Sequence, residues 1–180
     1  MHVMIDLETL GTRPGSVILS IGACAFESHG FEYEIPDEHT FYQNISVESS
    51  KAVGLTVDQA TIDWWKKQSE VAKDALRVDQ IPVRDALAKF TLWFRKVRGK
   101  HLWSHGATFD IPLIEAACRA VEPQILPPWK FWDARDTRTI YDLAGIEPDR
   151  SSGTHHNALD DSINQARAVQ QAYNILKGNN

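Results

Sequence analysis

Long apolar runs are missing from this chain: none approaches the roughly 18 residues needed to cross a bilayer. A membrane-spanning helix is therefore not expected. Cysteine is scarce as well. Cys24 and Cys118 have no zinc spacing and sit among apolar neighbours, so two reduced, buried thiols are expected rather than a disulfide framework or a zinc knuckle. No basic region leads into an apolar stretch near residue 1, because Asp6 and Glu8 interrupt the first apolar segment. The expectation is a cytoplasmic protein without a signal peptide. Internal repeats and low-complexity tracts are absent too. So is a basic excess: 19 Lys and Arg stand against 24 Asp and Glu, a net charge of −5. A protein that coats nucleic acid should be basic. The balance leaves room for an enzyme that meets nucleic acid through bound cations.

What is present is an ordinary globular mix, 43% hydrophobic and 24% charged over 180 residues, which predicts one domain over residues 1–180 with a substantial core. The charge is uneven. Residues 1–90 carry 8 basic and 14 acidic side chains, a balance of −6, while residues 91–180 carry 11 and 10, a balance of +1. Arg95, Lys96, Arg98 and Lys100 form a local basic cluster. It reads either as a solvated helix end suited to the macrodipole or as a phosphate-steering patch.

Patterning predicts three early strands, Val3 to Leu7, Val17 to Phe26 and Phe41 to Val47, the first two antiparallel through a Gly11–Gly15 turn. Thr56 and Gln59 have capping-box spacing ahead of a helix through Gln68. Val83, Ala86, Leu87, Phe90, Phe94 and Val97 recur on one helical face, with Pro82 at the start and Gly99 at the end. Further strands are predicted at His101 to Ser104 and Trp129 to Asp133. Further helices are predicted at Ile111 to Val121, Thr137 to Ala144 and from Leu159 to Leu176, with Ser151 to Thr154 as a polar linker. Strands first, then strands alternating with helices, indicate an α/β domain with a mixed sheet.

Several acids stand in positions with chemical potential. Asp6 and Glu8 are two apart on a strand and so share a sheet face. They suit a solvated strand end, two salt bridges or a metal site. Asp110 opens a helix after a strand, as an N-capping aspartate also would. His156 precedes Asp161 by five residues, about 140° around a helix axis, so the two converge only if His156 lies on the loop before the helix. Acids at that helix start also suit the macrodipole. Asp160 is expected to face away.

Taken in order, DLETLG at 6–11, HGATFD at 105–110 and HNALDD at 156–161 resemble the three motifs of the DnaQ-like, DEDDh branch of 3′–5′ exonucleases. TIDWWKKQS at 61–69, WSHGATFD at 103–110 and RDTRTI at 135–140 resemble its small stand-alone members, which include phage DexA-type exonucleases and a mycobacterial 3′–5′ exoribonuclease. His105 and Gly106 depart from the family pattern, as does Ser162 after the third-motif aspartate.

The resemblance implies an RNase H-like mixed sheet, an antiparallel meander followed by parallel strands, flanked by helices. It implies two divalent cations, Mg²⁺ or Mn²⁺, held by Asp6, Glu8, Asp110 and Asp161, with His156 as the base. Oxygen-only ligands agree with those ions. The implied reaction is hydrolysis of phosphodiester bonds from the 3′ end of RNA or single-stranded DNA, RNA slightly ahead, with release of nucleoside 5′-monophosphates. The substrate is a single-stranded 3′ end or a duplex overhang. Thr9 and Leu10 are implied substrate contacts, with Leu10 either a base wedge or a turn-packing residue. Phe109 stacks on a base or fills the core, and His105 lines the site or makes ordinary hydrogen bonds. Trp64 and Trp65 point apart on a helix, one to the core and one free for a homodimer contact or a nucleic-acid edge. Two alternatives stand beside this: an RNase H-like endonuclease, and a non-catalytic nucleic-acid-binding or polymerase-accessory module.

The register of the third motif is open to a direct check. Asp161→Asn is expected to remove nearly all turnover while leaving the denaturation midpoint in place, and Asp160→Asn to retain turnover. The opposite pattern would move the functional acid by one residue.

Overall fold

A computed structural model describes residues 1–28, 35–122, 127–147 and 157–178. Strand β1 (His2–Thr9) pairs antiparallel with β2 (Ile18–Phe26), and β2 pairs antiparallel with β3 (Thr40–Asn44). Strand β4 (His101–Ser104) lies parallel to β1, and β5 (Ala134–Asp136) parallel to β4. The sheet order is β3-β2-β1-β4-β5. This is the expected mixed sheet, an antiparallel meander extended by parallel strands.

Helices cover both faces. Alternation sends Val3, Ile5 and Leu7 to one face, against helices α4 (Val83–Lys96) and α5 (Asp110–Val121). Met4 and Trp103 go to the other, against α6 (Thr137–Ala144) and α7 (Ala158–Leu176). Asp6 and Glu8 continue the row begun by Met4, so the strand's own pleat aims both acids toward α7. Three short helices, α1 (Val47–Ala52), α2 (Gln59–Trp65) and α3 (Glu70–Ala75), pass beyond β3.

Several boundaries differ from the pattern-based expectation. Val47 opens α1 instead of ending a strand, because Ser46 caps the helix through the Ser49 N–H. Asp58, not Thr56, caps α2, accepting from the Ala60 N–H. The Thr56 carbonyl instead accepts from the Val17 N–H. The strand expected at Trp129 to Asp133 is a 3₁₀ turn at Phe131–Asp133, and β5 follows it. Trp129 is drawn into the core, where its ring meets Phe90 and Phe94. At the end of α4 the left-handed residue is Arg98 (φ 53°), while Gly99 is required by proximity: a Cβ there would lie 2.7 Å from the Phe94 ring. The linker expected at Ser151 to Thr154 lies outside the described residues. Both thiols are buried, and burial raises Cys24 to about 12 and Cys118 to about 11, as expected of reduced, unreactive cysteines.

Gly22 positions α7. It pairs with Asp6 across the β1–β2 ladder, and a Cβ on it would fall 2.1 Å from the Ala158 carbonyl carbon and 2.3 Å from the Leu159 nitrogen. Only a residue without a side chain lets the helix start rest on the strand. Gly22→Ala must therefore push the first turn of α7 outward by more than an ångström. The expected cost is about 1–3 kcal/mol of unfolding free energy, read as a lower urea midpoint. An unchanged midpoint would show that α7 tolerates the shift.

Candidate active site

Three acids and a glutamine meet at the C-terminal end of β1, with a fourth acid beside them. One carboxylate oxygen from each of Asp6, Glu8 and Asp161 lies within 4.8 Å of the other two. Asp161 reaches the strand from the first turn of α7. That turn is set by Asn157, whose side-chain oxygen accepts from the N–H groups of Leu159 and Asp160. The expected convergence of Asp6, Glu8 and Asp161 is therefore present, and Asp160 stands outside the trio.

Asp110 borders the trio without belonging to it. Its side chain does not cap α5. It crosses to β1, where Oδ1 accepts from the buried Leu7 N–H at 3.2 Å. That contact ties α5 to the strand and sets Asp110 beside Asp6, whose charge it disfavours. His156 lies outside the described residues.

Sequence reasoning missed Gln165. Its Nε2 donates to Asp6 Oδ1 at 2.9 Å. It stands one turn beyond Asp161 on α7, and that i,i+4 spacing was the available signal. Tyr141 of α6 fixes this turn by donating its hydroxyl to the Gln165 carbonyl at 2.8 Å.

The remaining candidates are spread around this cluster. Thr9 is buried; its hydroxyl donates to the Gly11 carbonyl, and its own carbonyl accepts from the Trp65 indole N–H at 2.8 Å. Leu10 spends both backbone groups on the turn, donating to Val17 and accepting from Asp58. It lines a cleft of about 440 Å³ together with Ile62, Trp65, Lys66, Lys73 and Leu76. Trp65 is thus the core member of the tryptophan pair. Trp64 stands 41% exposed with its ring edge-on to Trp65. Phe109 is half-buried against the core. His105 Nδ1 lies 2.8 Å from the Thr137 hydroxyl, and its carbonyl accepts from Arg138. Gly106 has φ +110°, and a Cβ there would meet the Arg138 guanidinium at 2.3 Å. The departure from the family pattern at this position therefore suits the local backbone. Asp136 closes the loop by accepting from the Ala107 N–H at 2.7 Å.

The electrostatics identify what the cluster needs. Burial, then repulsion from Asp110 and Glu8, hold the Asp6 carboxyl well above the ordinary range. Burial, then Asp161 and Asp110, push Glu8 up to about 8. Burial raises Asp110 to about 7 against the opposing Leu7 hydrogen bond and, less strongly, the Arg138 charge. Acids forced together in this way favour protonation or a cation. An all-carboxylate set suits a hard divalent ion such as Mg²⁺ or Mn²⁺.

Comparison with known proteins agrees with this geometry. Residues 1–173 match the family of the 3′-5′ exoribonuclease Rv2179c-like domain. An exodeoxyribonuclease of Enterobacteria phage T4 is 28% identical over 159 residues, covering 76% of this chain and 68% of the phage protein. Among solved structures, S. pombe Pop2p in its Mg²⁺- and Mn²⁺-bound form aligns with a TM-score of 0.55 at 15% identity, over 96% of this chain and 82% of that one. E. coli Exonuclease I, in complex with a dA13 oligonucleotide, aligns with a TM-score of 0.58 at 12% identity, over 98% of this chain and 42% of the larger one. These two likenesses show the RNase H-like fold.

The raised carboxyls make the cation-free fold pH-sensitive. Glu8 binds a proton in the folded chain up to about pH 8, but only to about 4.5 when unfolded. The unfolded state therefore binds fewer protons across that window, and stability falls as pH rises through it. In chelator the melting temperature is expected to drop between about pH 5 and pH 8 by several degrees. Added Mn²⁺ should raise it more at the upper end of that window than at the lower. A chelated protein that gains stability over this window would contradict the assignment.

Proposed function

This chain belongs to the family of 3′-5′ exoribonuclease Rv2179c-like domains, and from that premise we propose a two-cation 3′–5′ exonuclease, one domain over residues 1–180, that removes nucleotides from single-stranded RNA. The exonuclease class itself follows from the family and the phage relative. RNA is placed ahead of DNA because the exoribonuclease family spans residues 1–173, whereas the exodeoxyribonuclease likeness covers 76% of the chain. The observation that carries the proposal is the convergence of Asp6, Glu8 and Asp161 oxygens within 4.8 Å beside Asp110.

In this reading Asp6, Glu8, Asp110 and Asp161 hold two divalent ions, Mg²⁺ or Mn²⁺. Such ions, when bound, stabilise both the attacking and the leaving oxygens of a phosphodiester. Gln165 orients the Asp6 carboxylate through its 2.9 Å hydrogen bond. His156, on the segment just before α7, takes the proton from the attacking water, a role suited to a side chain that titrates near neutrality. The 3′-terminal nucleotide then leaves as a 5′-monophosphate. Leu10, a lining residue of its cleft, wedges against the terminal base, while Thr9, His105 and Phe109 shape the pocket for the last nucleotide. Among the described residues no helix is long and apolar enough to cross a membrane, and a cytoplasmic setting suits the buried free thiols. A homodimer is no part of the catalytic reading, since every acid of the cluster comes from one chain.

The test is one matched panel. Strands of RNA and DNA and overhang duplexes, each 5′-end-labelled, are digested with Mg²⁺, Mn²⁺ or chelator. The expected result is a descending ladder with mononucleotide release, faster on RNA and absent in chelator. His156→Ala should reduce turnover about 10²–10⁴-fold without changing the melting temperature. Internal cuts would favour the endonuclease alternative. No hydrolysis of any strand would favour the binding module.

A further inference from the structure

Among the described residues Phe131 is the most exposed large apolar side chain at 83%, its neighbour Trp132 stands 61% accessible, and their rings meet edge to face at 4.7 Å. Their backbone is fixed. Asp133 N–H donates to the Lys130 carbonyl, the Lys130 N–H donates to Asp133 Oδ2, and Arg135 Nη1 donates to the Trp132 carbonyl at 2.8 Å. The neighbouring Trp129 anchors the segment in the core and donates its indole N–H to Glu115. A rigid turn that holds two aromatic rings in water marks a contact surface.

The surroundings of the pair are cationic. Lys130 precedes it in sequence, and Arg135 grips its carbonyl. Lys100, the last member of the basic cluster at 95–100, adjoins His101, which faces Asp133 at 3.8 Å. Lys100 and Arg135 both bear on that imidazole. Asp133 and, through Trp129, Glu115 are the acids beside this group. Along the chain the cations continue toward the carboxylates: Arg135 lies on β5, and Arg138 holds the His105 carbonyl beside Gly106, with its charge reaching Asp110.

Register gives the separation. Ala134 is level with Leu102, and Leu102 with Val3, three residues short of Asp6. That is about 10 Å along the strands and about 10 Å across two of them. Phe131 and Trp132 lie a little farther back, at the opposite end of the sheet from the acids. At about 3.4 Å per stacked nucleotide, the straight line spans some five nucleotides, and a strand passing round the β5 edge needs at least that many.

We propose that Phe131 and Trp132, framed by Lys100, Lys130 and Arg135, form a second contact for the single-stranded substrate, on which bases several nucleotides upstream of the 3′ end stack. The inference rests on the exonuclease reading for the direction of the strand. Its chemistry is the aromatic-plus-cation platform that grips single strands without reading sequence. The acid site takes the terminal nucleotide, and the platform rewards length.

The experiment compares the wild-type chain with the Phe131→Ala/Trp132→Ala variant on a trinucleotide and on a 20-nucleotide strand. On the long strand KM is expected to rise about tenfold with kcat unchanged, in line with the loss of base stacking; on the trinucleotide neither changes. Binding of a 5′-labelled 20-mer in chelator, followed by anisotropy, should weaken by a similar factor. That arm needs no turnover, so failure of the hydrolytic reading leaves it decisive. Equal effects on both lengths, or none on either, would overturn the proposal. So would a fall from dimer to monomer mass in the variant with long-strand binding unmoved, which would assign the patch to a second copy of the chain. Both side chains are exposed, so an unaltered melting temperature is expected and serves as the folding control.

Discussion

Mutual repulsion among Asp6, Glu8, Asp110 and Asp161 is the constraint around which the fold is arranged. Acids gathered in a partly dry pocket resist ionisation, and each must be held in place by something else. The holding contacts come from every layer. The pleat of β1 aligns Asp6 and Glu8. Leu7 offers its N–H to Asp110 from the same strand, and Gln165 offers its amide to Asp6 from α7. Tyr141 secures the Gln165 turn from α6. Stability is thus given up locally at the site and recovered in two aromatic and aliphatic cores on either side of the sheet.

The second-motif loop is organised from the neighbouring strand β5 and the start of α6. Asp136, Thr137 and Arg138 each engage it, through Ala107, His105 and the His105 carbonyl respectively. The short RDTRTI segment therefore acts as a clamp on the loop that delivers Asp110. Gly106 is the position that lets Arg138 approach, so the glycine and the arginine form one unit.

Much of this was legible in the sequence, for identifiable reasons. Helices α4 and α7 carry apolar periodicity, β1 and β2 are apolar runs, and the acids lie at the ends of β1, α5 and α7. The choice of Asp161 over Asp160 came from motif order, and the geometry places the same residue in the trio. Elsewhere tertiary contacts overrode local signals. The Thr56–Gln59 spacing looked like a cap, but the Thr56 backbone is engaged with Val17, and Asp58 was the nearer competitor. The aromatic-rich Trp129–Asp133 segment looked like a strand, but Trp129 goes inward while Phe131 and Trp132 stay out. Gly22 was visible as a glycine within a strand. Its purpose depended on which helix would arrive there, and that partner is 136 positions away, at Ala158. Gln165 carried no motif at all.

The distance in sequence between Asp6 and α7 bears on how the chain matures. The two partners of the Gln165–Asp6 hydrogen bond are separated by 159 residues, so the contact closes nearly the whole chain and belongs to the slow, non-local class of folding events. During synthesis β1 emerges before α7, with the other strands of the sheet between them in sequence. Until α7 docks on Gly22 the acid cluster lacks Asp161 and the hydrogen bond to Asp6. Assembly of the acid cluster is thus tied to a non-local docking step and not to the local formation of β1.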